Sequence, residues 1–225
     1  MERLGGRPSL PDEIATLLRT KILSGELKPG ERIGVSAAAR DFGVSHIPVR
    51  EAIQRLTAES LVESVHNQGP VVSAVRLQDL HDIYYVRRLL ECDIALRAAS
   101  LYTDEDVVWI RQSLRTLRKA SPEDPGGDFW TAHRAFHRAI LQPGISSWSE
   151  HILNLLWQSA ERYHRLYTLV FGSLDTIHTE HKALVSAAAA KDGELLSSLL
   201  LTHLQHTERA VTDGYIAANG HAESQ

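Results

Sequence analysis

Eight of the twelve histidines lie between residues 133 and 206: His133, His137, His151, His164, His178, His181, His203 and His206. Imidazole is the commonest metal-binding side chain. His133 and His137 are four residues apart, so on a helix they share one face. His178 with His181, and His203 with His206, are three apart and share faces in the same way. If the three segments belong to one helical bundle, their imidazoles can meet at a common centre, as ligands do in many bundle cores. Taken singly, each histidine reads as a surface residue or a singly bonded core residue. A metal among imidazoles can also hydrate a carbonyl or cleave an ester, with Asp128 or Glu180 as a nearby general base. That enzyme reading finds no H-E-x-x-H, no G-x-S-x-G and no Gly-rich phosphate loop to accompany it.

A second chemistry lies near the N-terminus. In Phe42-Gly43-Val44-Ser45-His46-Ile47-Pro48-Val49-Arg50, a helix ends, a glycine turns the chain, and Ser45 caps a new helix. This is the pattern of a helix-turn-helix. The first turn of a recognition helix faces a DNA groove, so Ser45, His46 and Ile47 occupy the reading position, with Arg50 one turn on. Arg50 is long enough to reach a guanine edge or a phosphate. The alternative is that Ser45 is only a cap and Arg50 only pairs with Glu51 or Asp41.

The elements that must position these groups follow from periodicity and punctuation. Ser9 caps a helix over Leu10–Leu23, with Ile14, Leu17, Leu18 and Ile22 on its apolar face. Ser36 caps a helix over Ala37–Phe42, and the next runs from Ile47 to Ser60 with Val49, Ala52, Ile53 and Leu56 inward. Two β-rich runs, 61–65 and 71–75, flank His66-Asn67-Gln68-Gly69-Pro70 and predict a hairpin. Three helices and a hairpin make a winged helix-turn-helix. From Leu77 no strand pattern appears, and helices are expected at about 77–100, 103–120, 128–141, 147–170, 173–190 and 192–214. The fold expected is mainly α. A winged helix-turn-helix over residues 1–76 precedes an antiparallel all-α bundle of about six helices over 77–218, and 219–225 is expected to be a disordered tail.

Bulk composition bounds the partners. The formal net charge is -4, so no global basic signature supports nucleic-acid binding. Lys and Arg balance Asp and Glu up to residue 75, and contact geometry must therefore carry the DNA reading. Cys92 is the only cysteine, which rules out a disulfide framework within one chain and suits a reducing cytoplasm. No apolar run approaches a membrane span, and the first residues lack the apolar core of a signal peptide.

The spacing Gly25-x-Leu27-x-Pro29-Gly30-x-Arg32-Ile33, then Gly43-Val44-Ser45-x-x-Pro48-Val49-Arg50-Glu51-Ala52-Ile53, then Glu59-x-Leu61-Val62 and Gly69, resembles the GntR family of bacterial regulators. The resemblance implies a homodimer on a palindromic operator in double-stranded DNA, with the wing tip at Gln68-Gly69 in the minor groove. Arg32 and Arg40 complete the candidate DNA-contacting set of Ser45, His46, Ile47, Arg50, Gln68 and Gly69. The family usually has Ser-Arg-Thr-Pro-Val-Arg where this chain has Ser45-His46-Ile47-Pro48-Val49-Arg50. The operator is therefore expected to depart from the family consensus at the base that the missing arginine reads.

The second region resembles the FCD ligand-binding domain of the FadR subfamily, through Val86-Arg87-Arg88-Leu89-Leu90-Glu91, Phe136-His137-Arg138-Ala139-Ile140, Glu180-His181-x-x-Leu184, Asp192 and His203. The resemblance implies a metal held by His137, His181 and His203, with His133 standing where metal-binding members have an aspartate. Four neutral imidazoles favour zinc or nickel over calcium or magnesium. It further implies that a small organic or sugar acid binds beside the metal and relieves repression. Arg87 would face the acid's carboxylate. Tyr84 and Tyr163 would line the pocket, and His178 would stand in or behind it. A metal-free dimerisation module remains the other reading of this bundle.

Overall fold

A computed structural model describes residues 9–121, 128–167 and 174–219. The chain divides into two compact units, Met1–Val75 and Arg76–Gln225. The expected N-terminal arm, the centre of the 121–127 loop, the Gly172-Ser173 break and the tail beyond Asn219 fall outside the described residues.

In the first unit, α1 spans Leu10–Leu23, α2 Val35–Phe42 and α3 His46–Ala58. Ser9 starts α1 by donating its backbone N–H to the Asp12 carboxylate at 3.1 Å, with Pro11 in the first turn, where its missing N–H costs nothing. The buried face is Ile14, Ala15, Leu18 and Ile22. Leu17 was expected there but is 51% exposed, because the face is rotated toward Ala15. α2 begins one residue before Ser36, the expected cap: the Gly34 carbonyl accepts from Ala38 at 2.8 Å and closes the first turn earlier. Gly43 ends α2 in the left-handed region at φ 66°, a conformation that needs no Cβ, and Val44 N–H returns to the Ala39 carbonyl at 2.9 Å. Ser45 then sits at the N-cap of α3.

Strands β1 (Val62–Val65) and β2 (Gly69–Val72) pair antiparallel, Val62 opposite Val72 and Val65 opposite Gly69. The turn is thus His66-Asn67-Gln68, shorter than expected, because Gly69 and Pro70 already belong to β2. Asn67 supplies the positive φ of 63° that this tight turn requires. Pro70 cannot donate, but its carbonyl accepts from Ile33 at 2.8 Å, and Val72 N–H reaches the Glu31 carbonyl at 2.8 Å. The segment around Arg32 thereby edges the hairpin. Ile14, Leu18, Ile33, Val49, Leu56, Leu61, Val62 and Val72 meet in one core.

The second unit contains α4 (Leu77–Ala99), α5 (Asp104–Leu117), α6 (Asp128–Leu141), a 3-10 turn at Gln142–Gly144, α7 (Ser147–Tyr167), α8 (Leu174–Ala189) and α9 (Gly193–Asn219). Thr103 caps α5 reciprocally with Asp106: the Asp106 N–H reaches the Thr103 hydroxyl at 3.2 Å, and Thr103 N–H reaches the Asp106 carboxylate at 2.8 Å. α4 is the axis of the bundle and packs against α6, α7 and α9. Two glycines let the chain press on it. A Cβ on Gly144 would lie 2.8 Å from the Ile94 carbonyl, and one on Gly193 2.7 Å from that of Leu96. α9 runs through the buried Gly214 to Asn219, past its expected end, since packing there offsets the helix penalty of glycine. No described helix is long and apolar enough to cross a membrane.

Candidate functional site

α6 presents His133 and His137 from successive turns, α8 presents His181, and α9 presents His203. One ligand atom from each of these four lies within 4.8 Å of all the others. His137, His181 and His203 are buried, and His133 is half-buried. Burial pushes these imidazoles toward the neutral form, and neighbouring histidines add to the effect. His181 is pushed down to about 2, and His133 and His137 fall well below the ordinary histidine range. A neutral imidazole keeps the lone pair that a cation needs.

Both ring nitrogens of His137 and both of His181 are buried without a hydrogen-bond partner among the described residues. Each such atom costs about 1–3 kcal/mol if left unsatisfied. Four converging neutral nitrogen donors, several of them orphaned, fit a bound metal ion. His203 is prepared differently. Its Nδ1 is 2.7 Å from one oxygen of Glu180, whose other oxygen is 2.6 Å from His206 Nδ1. The carboxylate thereby leaves Nε2 as the nitrogen His203 can offer. Burial alone would raise the Glu180 pKa, but the two imidazole contacts outweigh it and hold the carboxyl below its ordinary value.

Beside the histidines is a cavity of about 30 Å³, lined by Arg87, Trp130, His133, His137, Trp157 and His164 among others. Arg87 is only 4% exposed; its Nε donates to Glu91 at 2.7 Å, and its guanidinium lies 4.8 Å from the centre of the Tyr84 ring. Burial works against the Arg87 charge, but the Glu91 carboxylate outweighs it and the cation is retained. Trp157 Nε1 donates to the same Glu91 oxygen at 3.1 Å. The Tyr84 hydroxyl is 2.8 Å from His164 Nε2, and burial pushes His164 down to about 3 and Tyr84 up to about 12, so both are neutral.

Tyr163 and His178 do not line this cavity. The Tyr163 hydroxyl instead donates to the Arg76 carbonyl at 3.1 Å, and His178 lies one turn before His181, outside the four-nitrogen cluster. His164, Trp130 and Glu180 carry more of the site than pairwise histidine spacing suggested. For His164 the available signal was its place one turn after Ala160 and two after Trp157, on the inward face of α7.

In the first unit Arg32, Arg40, Ser45, His46, Arg50 and Gln68 are exposed, Gly69 is half-buried, and Ile47 is 68% exposed. The Ser45 hydroxyl makes no capping bond. Arg19 pairs with Glu59, and Arg55 with Asp12. Arg32, Arg40 and Arg50 form no ion pair among the described residues, and Arg50 reaches neither Glu51 nor Asp41.

Two family profiles cover most of the chain. The profile described as bacterial regulatory proteins, gntR family, matches residues 10–72, and that of the FCD domain matches residues 82–206. The chain belongs to the GntR family. The pairing of the two domains places it in the FadR subfamily. The GntR relative BphR of Paraburkholderia xenovorans, described as an uncharacterised HTH-type transcriptional regulator, is 33% identical over 195 residues, 84% of this chain and 79% of that one. The HTH-type transcriptional repressor GlaR of Escherichia coli is 29% identical, over 83% of this chain and 89% of its own. The solved structure of Escherichia coli McbR/YncC superposes with a TM-score of 0.76 at 25% identity, covering 92% of this chain and 99% of that one. This GntR protein is a DNA-binding transcription regulator and not an enzyme.

Proposed function

We propose that this regulator is a cytoplasmic homodimeric repressor. It leaves a palindromic operator when a small organic or sugar acid binds beside a metal held by His133, His137, His181 and His203. The observation that carries this reading is the pair of buried imidazoles, His137 and His181, whose nitrogens have no partner among the described residues and point into a four-histidine cluster beside a buried arginine. All-nitrogen ligands suit zinc or nickel. When bound, such an ion supplies a Lewis-acid position for a carboxylate oxygen. Arg87 faces the same carboxylate, held in place by Glu91 and by the Tyr84 ring. The cavity has room for roughly two water-sized groups, which favours a short acid. Tyr163 and His178 act from outside the cavity.

On DNA, Arg32 and Arg40 meet phosphates, Arg50 reaches a guanine edge or phosphate, and the unengaged Ser45 hydroxyl bonds a phosphate. His46 and Ile47 face the bases and set an operator of the protein's own, while Gln68 and Gly69 enter the minor groove. An acid that prefers one arrangement of the two DNA-binding units by about 1–3 kcal/mol changes operator affinity roughly 5–150-fold. The test has three steps: elemental analysis of the purified protein, a thermal-shift screen of small carboxylic acids on metal-loaded protein, and operator binding with each hit. Stoichiometric zinc or nickel and a hit that weakens operator binding are expected. Absence of metal, with no acid that stabilises the protein, would leave the bundle as a dimerisation module.

A further inference from the structure

α4 keeps one apolar row outside the bundle. Tyr85, Leu89 and Leu96 are 59%, 61% and 40% exposed, and Cys92 between them is half-buried. Positions 85, 89, 92 and 96 alternate steps of four and three, the spacing of a helix face that packs lengthwise on another helix. The opposite face is already occupied within the bundle, with Leu80, Tyr84, Ile94, Ala95 and Ala98 fully buried. α9 runs antiparallel beside the row, since Cys92 meets Ser197 and Arg88 meets Glu208. Leu201, 38% exposed, lies in the α9 stretch between those contacts and widens the apolar surface.

We propose that this row seats a second copy of the chain, with the two α4 helices antiparallel about a two-fold axis near Leu89 and Leu90. The charges on one flank of the row select this occupant and this direction. An antiparallel pair centred there sets Tyr85 of each copy against Leu96 of the other, and Leu89 against Cys92. The same register, displaced by one residue, brings Asp82 of each copy opposite Arg97 of the other. Arg97 is exposed and bonded only along its own helix, at 2.9 Å to Asp93, and Asp82 accepts from Gln78 at 3.0 Å, so both reach solvent beside the row. A parallel pair would instead stack Asp82 on Asp82 and Asp93 on Asp93, which like-charge repulsion opposes. The surface is therefore complementary to itself in one direction, as a two-fold interface must be.

The proposal deepens the dimeric reading of the regulator and rests on it. It is tested on the full chain by sedimentation velocity, with circular dichroism as the check on folding. Leu89→Arg is expected to be monomeric at concentrations where the unaltered protein is a dimer, with its helix content kept. Trp148→Arg, in the rival exposed row of Trp148, Ile152 and Leu155 on α7, is expected to stay dimeric. Asp82→Arg and Arg97→Asp are each expected to weaken the dimer about tenfold, and the double exchange to restore it. The exchange decides the question even if Leu89→Arg does not fold. A dimeric Leu89→Arg, dissociation only in Trp148→Arg, or a double exchange that restores nothing overturns the α4 interface while leaving the regulator dimeric. An unaltered chain that is monomeric both free and on operator DNA overturns the dimeric reading itself.

Discussion

The two candidate sites present their chemistry in opposite ways. In the helix-turn-helix unit the important side chains are outside: Arg32, Arg40 and Arg50 stand in water without ion pairs among the described residues, while Arg19 and Arg55 are tied to acids. In the bundle they are inside: His137, His181 and His203 are at most 2% exposed, and two of them have no hydrogen-bond partner. The first surface fits a large polyanion that arrives from solvent and can be met by free cations. The second fits a small cation that must be stripped of water and surrounded. A cation waiting for DNA costs the folded unit little, whereas an orphaned imidazole in the core strains the bundle until something fills the site.

The largest effect that separates the two regions is removal of the buried donors. The double variant His137→Ala/His181→Ala is expected to lose all bound metal by elemental analysis while keeping operator binding in the absence of acid. Retained metal would break the contrast. Next in size is acid. His181 and His164 titrate near 2 and 3 in the folded protein but near 6.5 when unfolded. Their pKa values are lowered, so the stability they contribute is present above about pH 6.5 and is lost as pH falls toward 3. Urea unfolding of metal-free protein should therefore show a loss of about 1 kcal/mol per pH unit for each buried neutral histidine below pH 6.5. A stability that stays flat from pH 7 to pH 5 would contradict their burial.

Third is Arg50→Ala, expected to weaken operator binding about 10- to 100-fold in a mobility-shift titration with little change in melting temperature. An equal loss of stability would mean that Arg50 is structural. The smallest is Leu17→Ser. As an exposed residue outside the core, Leu17 should change unfolding free energy by less than about 0.5 kcal/mol in urea titration.

The same contrast accounts for what could be read from the chain before folding. The helix-turn-helix was legible because its whole signal is contiguous: Gly43 turns, Ser45 starts the helix, and Arg50 follows within one turn. The errors there were local. The start of α2 moved because a carbonyl of Gly34, rather than a side chain of Ser36, closes its first turn. Leu17 was misplaced because a 3.6-residue period does not say which edge of a face is wet. In the bundle, the pairing of His133 with His137 is a helical repeat and could be seen. That His181 and His203 join them while His178 and His206 do not is decided by how α8 and α9 are rotated against α6, and no local period records this. Tyr163 was likewise indistinguishable from a pocket residue until the Arg76 carbonyl was found at its hydroxyl.

Gly144 and Gly193 have a consequence for how this chain can drift over generations. Each abuts an α4 carbonyl so closely that any side chain must displace the helix. Ile94 and Leu96, whose carbonyls they touch, lie only a few residues beyond Arg87 and Glu91 on the same helix. A replacement at either glycine would thus reach the effector cavity as a shift of α4, with no side chain in the cavity altered. Lineages that retune their acid specificity have two routes: exchange the residues that line the cavity, or change the two positions that hold its wall in place.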